Sequence, residues 1–262
     1  MFTAESSPPD ILRAAILEKP TAQSLGAQWH IGNVEYVNTD ALYFALGRIA
    51  RSRVPVLDNA TGNFADTEFD SAPYTHVLID ISREIAAIAH KSSLAPDVTA
   101  IARQLARLLA ETKAARREKA AFSASAISRP DQFIRELRAA YAVSSFTVYF
   151  TRPNPIDVDG DFLQPMERLT QAANGTVGST TIRGQALDPE PLTQLTRSAA
   201  ATGDNASARI RTEAKARPVK RSLLGDTAKI TQESLDTRDE RQTLFERLRS
   251  TYARIRDDRE TA

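Results

Sequence analysis

The sequence of 262 residues predicts an α+β protein with two lobes joined by a helix. Residues 28–90 are rich in β-branched and aromatic residues and are interrupted by Asn, Asp and Gly clusters, which is typical of an antiparallel β-meander. Residues 96–119 then carry apolar positions at helical spacing. Beyond residue 120, strand-like and helix-like segments alternate. A run of strands followed by a mixed region indicates α+β architecture.

The N-terminal lobe is predicted to span residues 1–95 and to open with a short helix. Apolar residues recur at helical spacing from Ile11 to Ile16, after a candidate N-cap at Ser7. The segments WHIGNVEYV and ALYFALGRIA are predicted strands, and the Asn-Thr-Asp between them is a hairpin turn. In HVLIDIS, apolar and polar residues alternate as they do in a half-buried strand. These patterns together predict the β-meander.

The connecting helix is predicted over residues 96–120, and the C-terminal lobe over residues 121–262. The predicted elements of that lobe are a strand at 121–127, a helix at 130–142, a strand at 145–152, a helix at 161–174, a strand at 177–183, a helix at 189–202, and a hairpin of strands at 206–216 and 218–231. The dipeptides Pro130-Asp131 and Pro189-Glu190 favour helix starts, with proline near N1 and an acid in the first turn. Strand–helix–strand units in this order admit a ferredoxin-like arrangement, followed by a terminal helix.

Composition narrows the classes of function. The net charge is +1, so any attraction to nucleic acid must come from local clustering. The absence of cysteine excludes disulfides, thiolate metal sites and cysteine nucleophiles. His30 and His76 lie in strands that can bring them to face each other, but no zinc-site spacing occurs, and no phosphate-binding loop or hydrolase elbow is present. Without a signal-peptide pattern or a long apolar run, the sequence predicts a cytoplasmic protein with no membrane span.

Three aspartates alternate in the stretch RPNPIDVDGD, at Asp157, Asp159 and Asp161. Carboxylate oxygens are the ligands that calcium and magnesium prefer. When Asp157 is counted as the first position of an EF-hand loop, Phe162 stands where glycine is required and Arg168 where glutamate is required. The favoured interpretation is therefore that these acids cap the next helix. A metal site at the three aspartates is the alternative.

The tripeptide Glu213-Ala214-Lys215 looks like the E-x-K half of a family of metal-dependent nucleases. In that family, acids hold magnesium and the lysine positions or activates a water. The third member here would be Asp204, in a predicted loop. The favoured interpretation is a solvated strand face, with no catalytic residue and no cofactor. A magnesium-dependent nuclease that uses Glu213, Lys215 and Asp204 is the alternative.

The main functional feature is a basic segment in which six cations accompany the single acid Glu213. The cations are Arg209, Arg211, Lys215, Arg217, Lys220 and Arg221. On one continuous strand, the first four of these share parity and project from one sheet face. A row of like charge is costly unless an anion lies against it, and a DNA or RNA phosphate backbone is the usual partner. Arg116 and Arg117, in the connecting helix, would extend this surface.

The last segment is predicted to be a helix with one apolar stripe. The stripe consists of Leu244, Phe245, Leu248, Tyr252 and Ile255. Such a stripe is more often core than interface, but residues 236–258 also suit self-association or a protein partner, which would make the protein an oligomeric scaffold. Intramolecular salt bridges offer a competing explanation for the basic segment. The acids available for them are Asp236, Asp239, Glu240 and Glu246.

Four stretches spread over most of the chain resemble a sparsely described bacterial family. They are GNVEYVNTDALYFALGRIAR, VPVLDNATGNF, FTVYFTRPNP and RSAAATGDNASARI. Such proteins tend to be encoded in accessory gene neighbourhoods that include anti-phage systems. The resemblance implies a role in nucleic-acid binding or in a defence complex, and it implies no catalytic residue. Together with the basic segment, it predicts a non-specific nucleic-acid-binding protein or a subunit of such a complex.

Overall fold

The computed structural model describes residues 6–24, 26–150, 163–223 and 227–256. The chain divides into two compact units. The first unit consists of residues 1–124 and 233–245, and the second of residues 125–232 and 246–262. Each unit combines an antiparallel sheet with helices, so the fold class is α+β as predicted.

The first unit contains the predicted meander. Its described helices are α1 (Pro8–Leu17), α2 (Val98–Ala110) and α3 (Lys113–Glu118). Its described strands are β1 (Thr21–Ser24), β2 (Ala27–Tyr36), β3 (Ala41–Asp58), β4 (Asn63–Ser71), β5 (Tyr74–Asp80) and β6 (Ile85–Ile88). The strands pair antiparallel in the order β1-β2-β3-β5-β6, and β4 pairs with the distal half of β3.

One face of this sheet packs against the helices. Leu42, Phe44 and Leu46 alternate along β3 and are fully buried in a core that also contains Ile101 and Leu105 of α2. The alternation places every second residue of β3 on this face, as the sequence pattern predicts. The opposite face carries the intervening residues of the same strand.

The prediction of a single connecting helix over residues 96–120 is wrong, because two helices, α2 and α3, occupy this range. The Thr112 hydroxyl donates to the Leu109 carbonyl at 2.6 Å and accepts from the Ala115 N–H at 3.1 Å, so it caps α3 where α2 has ended. A threonine that bonds to nearby backbone groups competes with helix continuation. Leu109 and Ala114 both belong to the core of the first unit.

The distal half of β3 and the whole of β4 form a two-stranded ribbon, residues 50–71. Nine residue pairs join the two strands. Val54, Val56 and Phe69 share one face of the ribbon, and the ion pair between Arg53 and Glu68, at 2.7 Å, lies on the other. Within the described residues, no third strand extends the ribbon on either side.

The second unit builds its own sheet. Its described elements before the terminal helix are α4 (Asp131–Arg138), β7 (Ala142–Phe150), α5 (Leu163–Ala172), β8 (Gly178–Arg183), α6 (Pro189–Thr202), β9 (Ala206–Arg211) and β10 (Val219–Ser222). The strands pair antiparallel in the order β10-β9-β7-β8. Strands β8 and β9 lie on either side of β7 and are connected through α6. This is one split β-α-β unit, the element on which a ferredoxin-like arrangement is built.

Helix α6 matches its predicted range, and its ends show why. The Asp188 carboxylate accepts a hydrogen bond from the Glu190 N–H at 3.0 Å, and Pro189 occupies the first turn. At the other end, Gly203 adopts a φ of 76°, the left-handed conformation that glycine favours at a helix C-terminus. Leu192 and other apolar residues of α6 pack under the sheet.

Two strand predictions for the C-terminal lobe are wrong. Residues 121–127 form no strand, and the nearest pairing is an isolated bridge between Ser128 and Thr227. The predicted hairpin is much shorter than expected, because β9 ends at Arg211 and β10 spans only Val219–Ser222. The residues between these two strands form a turn-rich connection.

The terminal helix α7 (Arg238–Arg256) forms as predicted. Its apolar stripe is buried along its whole length, at Leu244, Phe245, Leu248, Tyr252 and Ile255. In the folded chain the stripe is therefore core, and it does not offer an exposed apolar surface. No helix in the described part of the chain has both the length and the apolar character needed to cross a bilayer.

Candidate functional site

The outer face of the second sheet is polar and cationic. Along β7 and β9, the residues of one parity, including Phe146, Val148 and Ile210, are buried in the core beneath the sheet. The other parity therefore points away from that core. On β9 this places Arg209 and Arg211 on the outer face.

The strand register aligns these outward residues into rows that run across the sheet. In the first row, Arg183 of β8 is paired with Ser145 of β7, Ser145 with Arg209 of β9, and Arg209 with Lys220 of β10. The second row lies one pleat further along and consists of Thr181, Thr147, Ser207 and Ser222. We call these the cation row and the hydroxyl row.

Neither row contains a carboxylate. Among the residues that the structure describes, no acid forms an ion pair with Arg183, Arg209 or Lys220. Arg209 and Lys220 are direct cross-strand neighbours, and like charges in that relation destabilise a sheet. The residues of the two rows, apart from Ser222, line a depression of about 520 Å³. The described part of this face therefore combines positive charge, hydroxyl groups and a depression.

The basic segment does not form the continuous strand face that the sequence predicts. Lys215 and Arg217 lie in the exposed connection between β9 and β10. Arg221 points to the helix side of β10 and pairs with Glu136 of α4 at 3.1 Å. Arg211 lies at the end of β9, where its guanidinium donates to the Gln185 carbonyl at 3.5 Å.

The other predicted contributors to the basic surface have local partners. Arg116 pairs with Glu111 at 2.6 Å and Arg117 with Glu118 at 2.8 Å, all within the first unit. Among the acids suggested as partners of the basic segment, Glu240 accepts from the Thr237 N–H at 2.9 Å. This bond places its carboxylate at the start of its own helix and lowers the pKa of Glu240.

The nuclease geometry is not assembled. Asp204 precedes β9 and Glu213 follows it, so the length of a six-residue strand, about 20 Å, separates them. The Asp204 carboxylate accepts from the Thr202 hydroxyl at 2.8 Å. Among the described residues, no group of three or more histidines or acids is placed to hold a metal ion. The predicted aspartates Asp157, Asp159 and Asp161 lie outside the described residues.

Two titratable groups with shifted pKa values, Tyr43 and His76, lie in the first unit, on the sheet face opposite its core. The Tyr43 hydroxyl and His76 Nδ1 are 2.5 Å apart, and the Arg241 guanidinium lies 4.0 Å from the centre of the Tyr43 ring. Burial, followed by the charges of Lys91 and Arg241, lowers the pKa of His76. Burial also raises the pKa of Tyr43.

His30 and His76 do not contact each other across the meander. Strand β3 lies between their strands, and its residues Ala45 and Gly47 are the cross-strand partners of His76 and His30 respectively. Two strand spacings separate the histidines by at least about 10 Å. His30 and His76 therefore do not form a site together.

Sequence reasoning missed half of the cation row and the whole hydroxyl row. Arg183 and Ser145 are far from the basic segment in sequence, and only strand pairing joins them to it. The stretch STTIR of β8 did contain a signal, because Ser179, Thr181 and Arg183 occupy alternate positions, with Thr180 as a further polar residue between them. That alternation marks an outward face, although it does not reveal which strands are its neighbours.

Comparison with known proteins does not assign the chain to a family. No known protein family matches the chain, and no curated protein matches it.

Proposed function

We propose that this protein binds nucleic acid without sequence specificity, through the phosphate backbone, on the outer face of the second sheet. The cation row carries the proposal. It presents Arg183, Arg209 and Lys220 on one face of the four-stranded sheet, and among the residues that the structure describes no carboxylate pairs with them. A nucleic-acid partner also agrees with the defence complex that the sequence resemblance implies and with the predicted cytoplasmic location.

The chemistry of the face fits phosphate. Guanidinium and ammonium groups form charge-assisted hydrogen bonds with phosphate oxygens, and serine and threonine hydroxyls are common additional donors. Lys215 and Arg217 add exposed positive charge in the connection beside the row. The three cations of the row predict that the logarithm of the binding constant falls with the logarithm of salt concentration with a slope of about −2 for single strands.

Charge reversal on the row tests the proposal. The triple variant Arg183→Glu, Arg209→Glu, Lys220→Glu should weaken binding by roughly two orders of magnitude, because three charged hydrogen bonds become repulsions. Binding would be measured by fluorescence anisotropy with labelled DNA and RNA at several salt concentrations. The salt slope should flatten in the same variant.

A matched control keeps the change in net charge the same. Arg129, Arg135 and Arg168 are exposed cations of the same unit, outside both rows. Their replacement by glutamate should leave most of the affinity in place. Equal losses in the two triple variants would show that only net charge matters, and unchanged affinity in a folded row variant would refute the proposal.

A further inference from the structure

The outer face of the second sheet places three kinds of contact side by side. The cation row is followed by the hydroxyl row about 7 Å further along the strands, and Tyr149 of β7 lies beyond that, two residues after Thr147. Tyr149 is half-buried and lines the same depression as Arg209. The face thus offers charge, hydrogen-bond donors and an aromatic ring.

A nucleic-acid duplex uses only the first of these chemistries well. Its bases are stacked inside the helix, so an aromatic side chain on a flat sheet meets no free base face. The four strands span three spacings, about 14 Å, which is wider than the major groove of about 12 Å. The sheet face therefore cannot enter the groove, and only phosphate ridges would touch it.

A single strand uses all three chemistries. Its phosphates can lie on the cation row, its sugars and base edges can bond to the hydroxyls, and an unstacked base can pack on the tyrosine ring. One of the Thr147 and Thr181 hydroxyls, 2.9 Å apart, donates to the other, so the pair keeps one O–H donor and several acceptor lone pairs for a ligand.

We infer that the ligand of this face is single-stranded nucleic acid, with a base stacked on Tyr149. This inference rests on the proposed function, since the cation row would hold the backbone that presents the base. It assigns to Tyr149 a contact that a duplex does not need. Removal of the Tyr149 ring should therefore also reduce the preference of the protein for single strands over a duplex.

The test compares labelled oligothymidylate and oligouridylate with a duplex of the same length, by fluorescence anisotropy at one salt concentration. The wild-type protein should bind the single strands at least about ten-fold more tightly. Tyr149→Leu should weaken single-strand binding by about five-fold or more and leave duplex binding unchanged. Tyr149→Phe keeps the ring and should keep the affinity.

The outcomes separate this inference from the proposed function. If duplex and single strands bind equally and Tyr149→Leu has no effect, the single-strand inference is overturned while backbone binding stands. If neither form binds, both fall. If the leucine variant does not fold, the double variant Thr147→Val, Thr181→Val replaces it. That variant should lower single-strand affinity several-fold more than duplex affinity, and an equal effect on both would count against the inference.

Discussion

At the scale of single residues, His76 is held in surroundings that disfavour its positive charge. Burial has the largest effect on its pKa, and the nearby charges of Lys91 and Arg241 lower the pKa further. The short contact with the Tyr43 hydroxyl is satisfied by a neutral imidazole, which accepts through Nδ1 in one tautomer. The folded protein therefore prefers this histidine unprotonated.

This preference predicts that acid destabilises the fold. The usual pKa of histidine is 6.5, and the folded-state pKa of His76 lies below that value. Between these two values the unfolded chain binds more protons than the folded chain, so the free energy of unfolding must fall as the pH falls through 6.5. Urea unfolding at about pH 7.5 and about pH 5.5 would measure the change.

The His76→Gln variant isolates the source of this pH dependence. It should unfold more easily at both pH values, since the contact with Tyr43 is altered, but the difference between them should shrink. His90 is exposed, and His90→Gln should keep the wild-type difference. A His76→Gln variant with the full wild-type pH dependence would contradict the assignment.

At the scale of elements, the ribbon of residues 50–71 stands apart from the core of its unit. Its described side chains are almost all exposed, and Phe64 near its tip is 79% exposed. None of its described side chains belongs to the core cluster beneath the sheet. An isolated two-stranded hairpin is marginally stable, so this element adds little to the unit that carries it.

Shortening the ribbon should therefore leave the first unit folded. If an Asn-Gly turn replaces residues 54–67, the ion pair of Arg53 with Glu68 becomes the last pair of a two-residue hairpin. The melting temperature, followed by Trp29 fluorescence, should change by less than about 3 °C. Leu46→Ala, in the buried half of β3, should instead cost about 2–5 kcal/mol. A large loss from the shortened ribbon would mean that it stabilises the unit.

Individual helices and strands differ in how far the sequence alone predicts them. Helix α6 was predictable because its cap, its first-turn proline and its terminal glycine are all local signals. The length of β9 was not predictable in this way. The charged residues continue to alternate after Arg211, but the buried partners Ala206, Ala208 and Ile210 have no apolar successor larger than alanine. Without inward packing, alternation of charge does not extend a strand.

The sequence predicted only those residues of the candidate site that lie close together along the chain. Arg209 and Lys220 belong to one hairpin, so the basic segment reveals them. Arg183 and the hydroxyl row reach the same face through the register of β7 with β8 and β9, which depends on long-range pairing. Arg221 lies apart from this face, because parity along β10 places it on the helix side, beside Glu136.

At the scale of the whole molecule, helix α7 serves both units. In its first half, Arg241 bonds to Glu35 at 2.5 Å within the first unit. In its second half, Ile255 belongs to the core of the second unit, and the Arg197 guanidinium donates to its carbonyl at 3.2 Å. Residues 233–245 belong to one unit and residues 246–262 to the other. Truncation within the helix should therefore affect the units separately.

Two truncated chains test this division. A chain that ends at residue 245 keeps the helical segment of the first unit and should lose nucleic-acid binding. Trp29 is the single tryptophan and is 4% exposed, and in this chain its fluorescence should remain that of a buried indole. A chain that ends at residue 235 lacks both halves, so its tryptophan emission should shift toward that of exposed indole. If α7 served only self-association, both chains would instead keep their stability and binding and would change only in mass, which sedimentation would detect. Because α7 buries its apolar stripe within the folded chain, we expect loss of structure and not simple dissociation.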